Sequence, residues 1–246
     1  MTKTIILIPS RLAATRLPNK PLLKINNVSI INHVYQKAKS VGIGDVYVAT
    51  GDKEIFKEVT ENGGNCIITE KDHQTGTDRI FEAYQKLNLN NIDYVLNLQG
   101  DEPMINIEDI KNINNMAIKK KSEILTLACK IKDKKVLNIK NIVKVTTSKE
   151  IKKENISQAK SFLREVSAKN YSYIYQHIGV YLYKVSILER FVKLKQTKNE
   201  IFQKLEQLRA IDNKIIIDVV LANSCPIGVD TYEDFLEIKR FMEYKN

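Results

Sequence analysis

The sequence has no glycine-rich phosphate loop. Its nine glycines are dispersed, and neither G-x-G-x-x-G nor G-x-x-x-x-G-K-[ST] occurs, which argues against a dehydrogenase and against a P-loop kinase. Cysteine is scarce: Cys66, Cys129 and Cys225 lie far apart with no paired spacing. Neither a zinc ribbon nor a disulfide framework is expected, and each cysteine reads as a small core residue. No stretch approaches the roughly 20 apolar residues of a membrane span. The N-terminus has one Lys and then a short apolar run ending at Pro9, a strand rather than a signal peptide, so a cytoplasmic protein without a membrane partner is expected. No helix-turn-helix, zinc-finger or aromatic RNA-binding signature stands out. The net charge of +10 is mostly lysine, scattered or in short runs such as Lys119-Lys120-Lys121 and Lys152-Lys153. It reads as solvated faces, and no nucleic-acid partner is expected; the distant alternative is a basic nucleic-acid-binding protein without catalysis.

What is present starts at residues 8–22, I-P-S-R-L-A-A-T-R-L-P-N-K-P-L. Arg11, Arg16 and Lys20 follow directly on the apolar run Ile5-Ile6-Leu7-Ile8. Guanidinium forks bind phosphate oxygens bidentately, and a lysine acts as a mobile point charge. Pro9, Pro18 and Pro21 frame the loop and lower the entropy lost on ordering it. A stiff loop with three cations after a strand suits a triphosphate better than it suits solubility alone.

At 246 residues the chain has room for one large α/β domain. The first half alternates strand and helix. Strands are expected at Thr4–Pro9, Val46–Ala49, Cys66–Thr69 and Tyr94–Leu98. Helices are expected from a Ser29 cap to Val41, from Asp52 to about Asn62, over Thr77–Leu87, and from an Asn106 cap to about Lys119. Such alternation implies a doubly wound, mostly parallel sheet. Ile124–Ile131 and Ile142–Thr147 then read as strands with no long helix between, residues 149–173 give no clear pattern, and His177–Tyr183 is a strand. Helices near Ser186–Lys193 and Glu200–Leu208, a strand at Ile215–Val220 and a helix at Thr231–Tyr244 complete the chain. The expectation is one domain, 1–246, with a β-rich excursion at 122–185.

In an open parallel sheet, ligands sit beyond the carboxyl ends of the strands. The Ser10–Lys20 loop lies there, and so does N-L-Q-G-D-E-P at 97–103. Asp101 is placed as a Mg²⁺ ligand, because hard carboxylate oxygens suit that ion alongside phosphate oxygens; Glu102 is the alternative. D-H-Q-T-G-T-D-R at 72–79 sets Gln74, Gly76 and Arg79 around a helix start, where N–H groups and a cation meet a phosphate or a base; the structural alternative is a Thr77 cap with a turn at Gly76. G-V-D-T-Y-E-D at 228–234 sets Asp230 before the last helix, either as a second metal carboxylate or as an N-cap.

Taken together, these segments resemble the 3-deoxy-manno-octulosonate cytidylyltransferase (CMP-Kdo synthetase) family over most of the chain. The opening loop, D-H-Q-T-G-T-D-R and Q-G-D-E-P match it. So do N-I-V-K-V at 141–145, the H-I-G-V-Y strand at 177–181, L-E-Q-L-R at 205–209 and the closing G-V-D-T-x-E-D. The resemblance implies a Rossmann-like nucleotidyltransferase fold. It implies transfer of CMP from CTP to the anomeric hydroxyl of Kdo with release of pyrophosphate, for lipopolysaccharide synthesis, in a Mg²⁺-dependent homodimer built through the middle block. It implies catalytic Arg11, Arg16, Lys20 and Asp101, CTP contacts that add Pro9, Ser10, Gln74 and Arg79, and metal ligation by Asp101 and Asp230. The sugar pocket it implies is lined by Gln99, His177, Tyr181, Gln203 and Gln207, with His177 as a hydrogen-bonding group rather than a base. Two positions depart from the family. Gln158 stands where S-R-x-x-I-P carries its Arg, and Gln203 stands where a Glu precedes L-E-Q-L-R. The first weakens recognition of the sugar carboxylate unless Arg164 or a nearby Lys replaces it. The second exchanges an acceptor for a group that also donates. Both leave open a modified acid sugar, such as 8-amino-Kdo or a sialic-like acid.

Overall fold

The computed structural model describes residues 2–13, 16–166 and 171–244. They fall into two compact units, Met1–Glu108 with Pro226–Asn246, and Asp109–Cys225.

The first unit opens with β1 (Thr4–Ser10), whose Ile5, Ile6, Leu7 and Ile8 are essentially fully buried, as expected of a strand covered on both faces. A 3-10 turn at Lys20–Leu22 and the short hairpin β2 (Lys24–Ile25) and β3 (Val28–Ser29) lead to α1 (Ile30–Val41). Ser29 caps α1 by accepting from the Asn32 N–H. Then come β4 (Val46–Thr50), α2 (Lys53–Glu61), β5 (Cys66–Ile68), α3 (Gly76–Leu87) and β6 (Tyr94–Asn97). β5, β4, β1 and β6 lie side by side in that order, and every pairing among them is parallel. α3 starts one residue earlier than the sequence suggests, because Thr75, not Thr77, is its cap.

α4 (Ile107–Lys120) carries the chain into the second unit. There follow β7 (Ile124–Cys129), a 3-10 turn at Lys134–Asn138, β8 (Lys144–Thr147), β9 (Ile156–Leu163) and β10 (Ile174–Lys184). After them come α5 (Val185–Val192), α6 (Lys198–Gln203), α7 (Gln207–Asp212) and β11 (Ile217–Leu221). β11 runs parallel to β7, whereas β10 with β7, β10 with β8, β11 with β9 and β8 with β9 are antiparallel. The expected mostly parallel sheet therefore describes the first unit only, and the strands as a whole are mixed. The second unit also exceeds the expected excursion at 122–185, because β11 pairs with β7 and β9 and holds α5–α7 within the same unit. The chain returns to the first unit with α8 (Tyr232–Glu243).

Three further differences have local causes. β9 lies in the stretch that shows no pattern, because its inward residues are the small Ser157 and Ala159 and then Phe162, with a register irregularity against β8 that breaks the alternation between Ala159 and Phe162. The single helix expected at Glu200–Leu208 is two helices, broken where Lys204 takes a left-handed φ of 52°. Cys129 and Cys225 form a disulfide with Cα atoms 5.6 Å apart, contrary to the expectation of unpaired core thiols. Parallel pairing sets Leu221 beside Ala128, and the Ala222 N–H bonds the Ala128 carbonyl, so the two strand ends run together and bring the cysteines close despite a sequence separation of 96. Cys66 is free, and burial pushes its thiol up to about 12. Among the described residues no helix is long and apolar enough to cross a membrane.

Candidate active site

In the first unit, a cleft of about 370 Å³ opens past the ends of β1 and β6. The end of β1 and the loop after it line the cleft with Pro9, Ser10, Arg11, Arg16 and Lys20, and the segment opening α3 contributes His73, Gln74, Thr75, Gly76 and Arg79. The turn after β6 adds Gln99, Gly100 and Asp101, and Asp230 enters from the residues before α8. All four segments singled out in the sequence therefore meet at one place, the carboxyl edge of a parallel sheet.

The cation loop is fixed from several sides. Leu17 is buried in a cluster with Ile25, Ile30, Val229, Phe235 and Ile238. Burying Leu17 and Val229 together brings their polar neighbours within reach, and Arg16 Nη2 lies 3.2 Å from Asp230 Oδ1. Nearer β1, the Leu12 N–H donates to Asp52 Oδ2 at 2.8 Å. Asp52 precedes α2 but makes no side-chain cap bond there, so its carboxylate serves the loop instead. Gly100 is required by close approach: a Cβ there would stand 3.1 Å from the Pro9 carbonyl and 3.2 Å from Ile31 Cδ1.

At the centre, Lys20 Nζ sits 2.5 Å from Asp101 Oδ2, 2.7 Å from the Val229 carbonyl and 3.7 Å from Asp230 Oδ1. Asp230 is not the N-cap of α8. Thr231 is, in a reciprocal capping box with Asp234, which leaves the Asp230 carboxylate to the cleft. The two carboxylates converge on one positive charge, and a hard divalent cation with few protein ligands needs that arrangement. Among the described residues no group of three or more His, Cys, Asp or Glu side chains could hold a metal. Two carboxylates are a donor set that Mg²⁺ could share with phosphate oxygens and water, and they do not make an all-protein cage. The Ser10 hydroxyl is buried with no partner among the described residues.

Two side chains of the α3 segment behave differently from expectation. Arg79 lines the cleft, but its guanidinium donates to Thr69 Oγ1 at 2.6 Å, the Glu70 carbonyl at 3.0 Å and the Lys71 carbonyl at 2.9 Å. It shapes the wall rather than presenting a fork to a ligand. His73, which the sequence did not single out, lines the cleft with Nε2 bonded to Glu82 Oε2. Burial alone would raise the Glu82 carboxyl, but bonds from Lys86, the Glu70 N–H and His73 outweigh it and hold the group below its ordinary value.

The expected sugar-side residues other than Gln99 lie in the second unit. On β10, the His177 and Tyr181 rings are 5.4 Å apart, and Phe162 meets His177 edge-on at 5.2 Å. His177 Nε2 is 2.9 Å from Thr126 Oγ1, and that hydroxyl lies 2.8 Å from the Val180 carbonyl. A Thr126 hydroxyl that donates to Val180 would accept from His177, an arrangement with the imidazole proton on Nε2. Burial lowers the His177 pKa to about 3, which suits a neutral hydrogen-bonding group and not a base. Burial also raises the Tyr181 hydroxyl well above the usual phenol value, with the charges of Tyr183 and Glu206 adding to it. Glu206, the acid of L-E-Q-L-R, is thus electrostatically close to Tyr181 and is a candidate that the motif alone does not reveal. Gln203 ends α6 and Gln207 begins α7, on either side of it. Gln158 does not join this group. The registers place His177, Thr126, Val219 and Ser157 on one sheet face, so Gln158 projects from the other, where it is exposed.

The family model described as cytidylyltransferase matches residues 5–217. A 3-deoxy-manno-octulosonate cytidylyltransferase of Rhodopseudomonas palustris (strain BisB5) is 41% identical over 242 residues, covering 98% of each chain. That of Brucella canis is 39% identical over 240 residues, covering 97% of this chain and 95% of the relative. The chain belongs to the 3-deoxy-manno-octulosonate cytidylyltransferase family. It is a nucleotidyltransferase by that membership. A solved CMP:2-keto-3-deoxy-manno-octonic acid synthetase complexed with CTP matches with a TM-score of 0.89 at 31% identity, covering all of both chains. A UDP-glucose pyrophosphorylase complexed with UDP-glucose matches with a TM-score of 0.74 at 16% identity over the whole of both chains, which shows the shared nucleotidyltransferase fold alone.

Proposed function

We propose that this chain transfers CMP from CTP to the anomeric hydroxyl of Kdo, or of a closely related 3-deoxy-octulosonic acid, with release of pyrophosphate. The observation that carries this reading is the meeting of Arg11, Arg16 and Lys20 with Asp101 and Asp230 in one cleft. Arg11, Arg16 and Lys20 bind the triphosphate and then the departing pyrophosphate. The Ser10 hydroxyl, buried without a partner among the described residues, gains one from a ligand oxygen. Pro9 and Gln74 line the same cleft and contact the nucleotide. The anomeric oxygen attacks the α-phosphorus while the bond to the β-phosphoryl oxygen breaks. Asp101 and Asp230 would hold Mg²⁺, which when bound neutralises phosphate charge and lowers the pKa of the attacking hydroxyl. Gln99 of the first unit and His177, Tyr181, Gln203 and Gln207 of the second are the residues this reading assigns to orienting the sugar. The reading includes a homodimer built through residues 122–185, where Ile139, Tyr171 and Tyr173 are each about 40% exposed. It also includes the cytoplasm as the compartment, since CTP is made there, although disulfides such as Cys129–Cys225 are rare in that compartment.

Pyrophosphate release with CTP and Mg²⁺, measured with Kdo, 8-amino-Kdo and a sialic acid, tests the reading. Release with Kdo is expected. Release with the amino sugar alone keeps the chemistry and reassigns the pocket, and silence with all three sinks the proposal. In the same assay Gln203→Glu is expected to change the ratio of kcat/KM between Kdo and its 8-amino analogue by about fivefold or more, as one charged hydrogen-bonding group replaces a neutral one. An unchanged ratio means that Gln203 does not read the sugar.

Arg16→Ala separates the two substrates. Arg16 reaches the cleft with its guanidinium paired only loosely, to a half-exposed Asp230, so the fold does not depend on it. The KM for CTP is expected to rise about tenfold, as for loss of one charge-assisted phosphate contact, with the KM for the sugar changing less than about twofold. Equal effects on both would remove Arg16 from the triphosphate grip.

A further inference from the structure

Lys144, in the N-I-V-K-V motif, has a role that nothing in the nucleotide chemistry uses. It is fully buried, and its ammonium donates to the carbonyls of Ile139 at 3.0 Å, Ile142 at 2.7 Å and Arg164. Three donors meet three acceptors, which satisfies the group. The carbonyl so gripped belongs to a second cation with a similar habit. Arg164, just past the end of β9, donates from Nε to the Gln203 carbonyl at 2.7 Å, from Nη2 to the Lys204 carbonyl at 2.9 Å and from Nη1 to the Lys140 carbonyl at 3.2 Å. Two cations thus bind six backbone carbonyls. They tie together the turn at 139–144, the end of β9 and the end of α6.

This node reaches two of the residues assigned to the sugar. The Val143 carbonyl, inside the clamped turn, accepts from the His177 N–H at 2.9 Å. Gln203 is held by its own carbonyl. α6 has six residues, far fewer than an isolated helix needs to persist in water. It ends at Lys204 in the left-handed region, a conformation that is unfavourable for a residue with a Cβ. Thr197 and Glu200 cap the start of α6, and the Arg164 fork holds its other end, where Gln203 sits.

We propose that Arg164 is a positioning residue for the sugar half of the site, acting through the Gln203 and Lys204 carbonyls. The proposal rests on the reading that Gln203 contacts the sugar. Three of the five Arg164 N–H donors are engaged with backbone carbonyls.

The test is steady-state kinetics of the full chain with CTP, Mg²⁺ and Kdo for the wild type, Arg164→Ala, Arg164→Lys, Gln203→Ala and the double variant. Loss of a charged hydrogen-bonding clamp is expected to raise the KM for Kdo on the order of tenfold in Arg164→Ala, with the KM for CTP within about twofold. Arg164→Lys, which keeps a donor without the fork, is expected to recover part of that loss. In the Gln203→Ala background the Arg164→Ala effect is expected to shrink below about threefold, as coupled residues do. An unchanged KM for Kdo in Arg164→Ala overturns the proposal, as does a parallel rise in both KM values or a full tenfold effect without the Gln203 side chain. If Arg164→Ala does not fold, Arg164→Lys and its double variant with Gln203→Ala carry the same comparison. Gln203→Ala with an unchanged KM for Kdo signals a different failure, that of the sugar-pocket reading on which the proposal stands.

Discussion

Asp101→Ala is expected to lower CMP transfer by at least about a thousandfold, close to 4 kcal/mol in the transition state, at every Mg²⁺ concentration tried. Asp101 ends the β6 turn with its carboxylate 2.5 Å from Lys20 Nζ. Its removal takes away one of the two carboxylates proposed to hold a metal. It also leaves Lys20 with Asp230 at 3.7 Å and the Val229 carbonyl at 2.7 Å, which draws the ammonium toward the α8 side and off the path of the triphosphate. Excess Mg²⁺ repairs neither change, so saturation does not rescue the variant. The fold should survive, because Asp101 is about one-third exposed (32%) and outside the apolar core. Asp101→Asn separates charge from shape: it keeps an oxygen near Lys20 but loses the negative charge, and is expected to be nearly as inactive. Pyrophosphate release and CTP binding with and without Mg²⁺ are the measurements. Activity within about tenfold of wild type in Asp101→Ala would remove the residue from the metal site and shift attention to Glu102.

The residues behind that prediction were legible because their signals are local. The run Ile5-Ile6-Leu7-Ile8 is a buried central strand, and the loop after such a strand lies at the ligand edge of the sheet. Q-G-D-E-P is a strand end and a turn, with Gly100 forced by the nearness of Pro9. The less legible features depend on contacts between segments distant in sequence. Thr231 and Asp230 are adjacent, and both are plausible caps until the reciprocal bonds with Asp234 decide for Thr231. Arg79 carries the right charge in the right motif, but its guanidinium is taken up by the Thr69–Lys71 strand end, which no spacing rule reveals. The Cys129–Cys225 bond needs the β7–β11 pairing to be known first. The break between α6 and α7 has neither Gly nor Pro to mark it. It falls on a lysine whose carbonyl, with that of Gln203, is held by Arg164, just past the end of β9.

The second unit has its own largest effect. Arg209→Ala is expected to destabilise it by about 3–5 kcal/mol, the usual result of removing one partner from a buried ion pair. Arg209 and Glu200 are about 3% and 4% exposed. They join in a bidentate pair, Nε to Oε2 at 2.9 Å and Nη2 to Oε1 at 2.5 Å. The guanidinium also lies over the Phe191 ring, 4.9 Å from its centroid, so the substitution removes a cation–π contact as well. What remains is a carboxylate in the interior, with the Thr197 N–H at 3.2 Å and Gln196 Nε2 at 3.3 Å as donors. Arg209→Lys is expected to cost less than Ala but more than a surface change, since an ammonium cannot form the fork or stack on the ring in the same way. The double change Arg209→Met with Glu200→Leu should recover much of the loss, because the desolvation of both charges disappears together. It should not recover all of it, because Glu200 is also the N3 partner in the α6 capping box with Thr197, worth on the order of 1 kcal/mol. Urea unfolding followed by far-UV dichroism checks the series. A shift of less than about 1 kcal/mol for Arg209→Ala would mean that water reaches Glu200 once the arginine is gone, and that α6 and α7 are held by their apolar contacts and by the Arg164 clamp instead of by this pair.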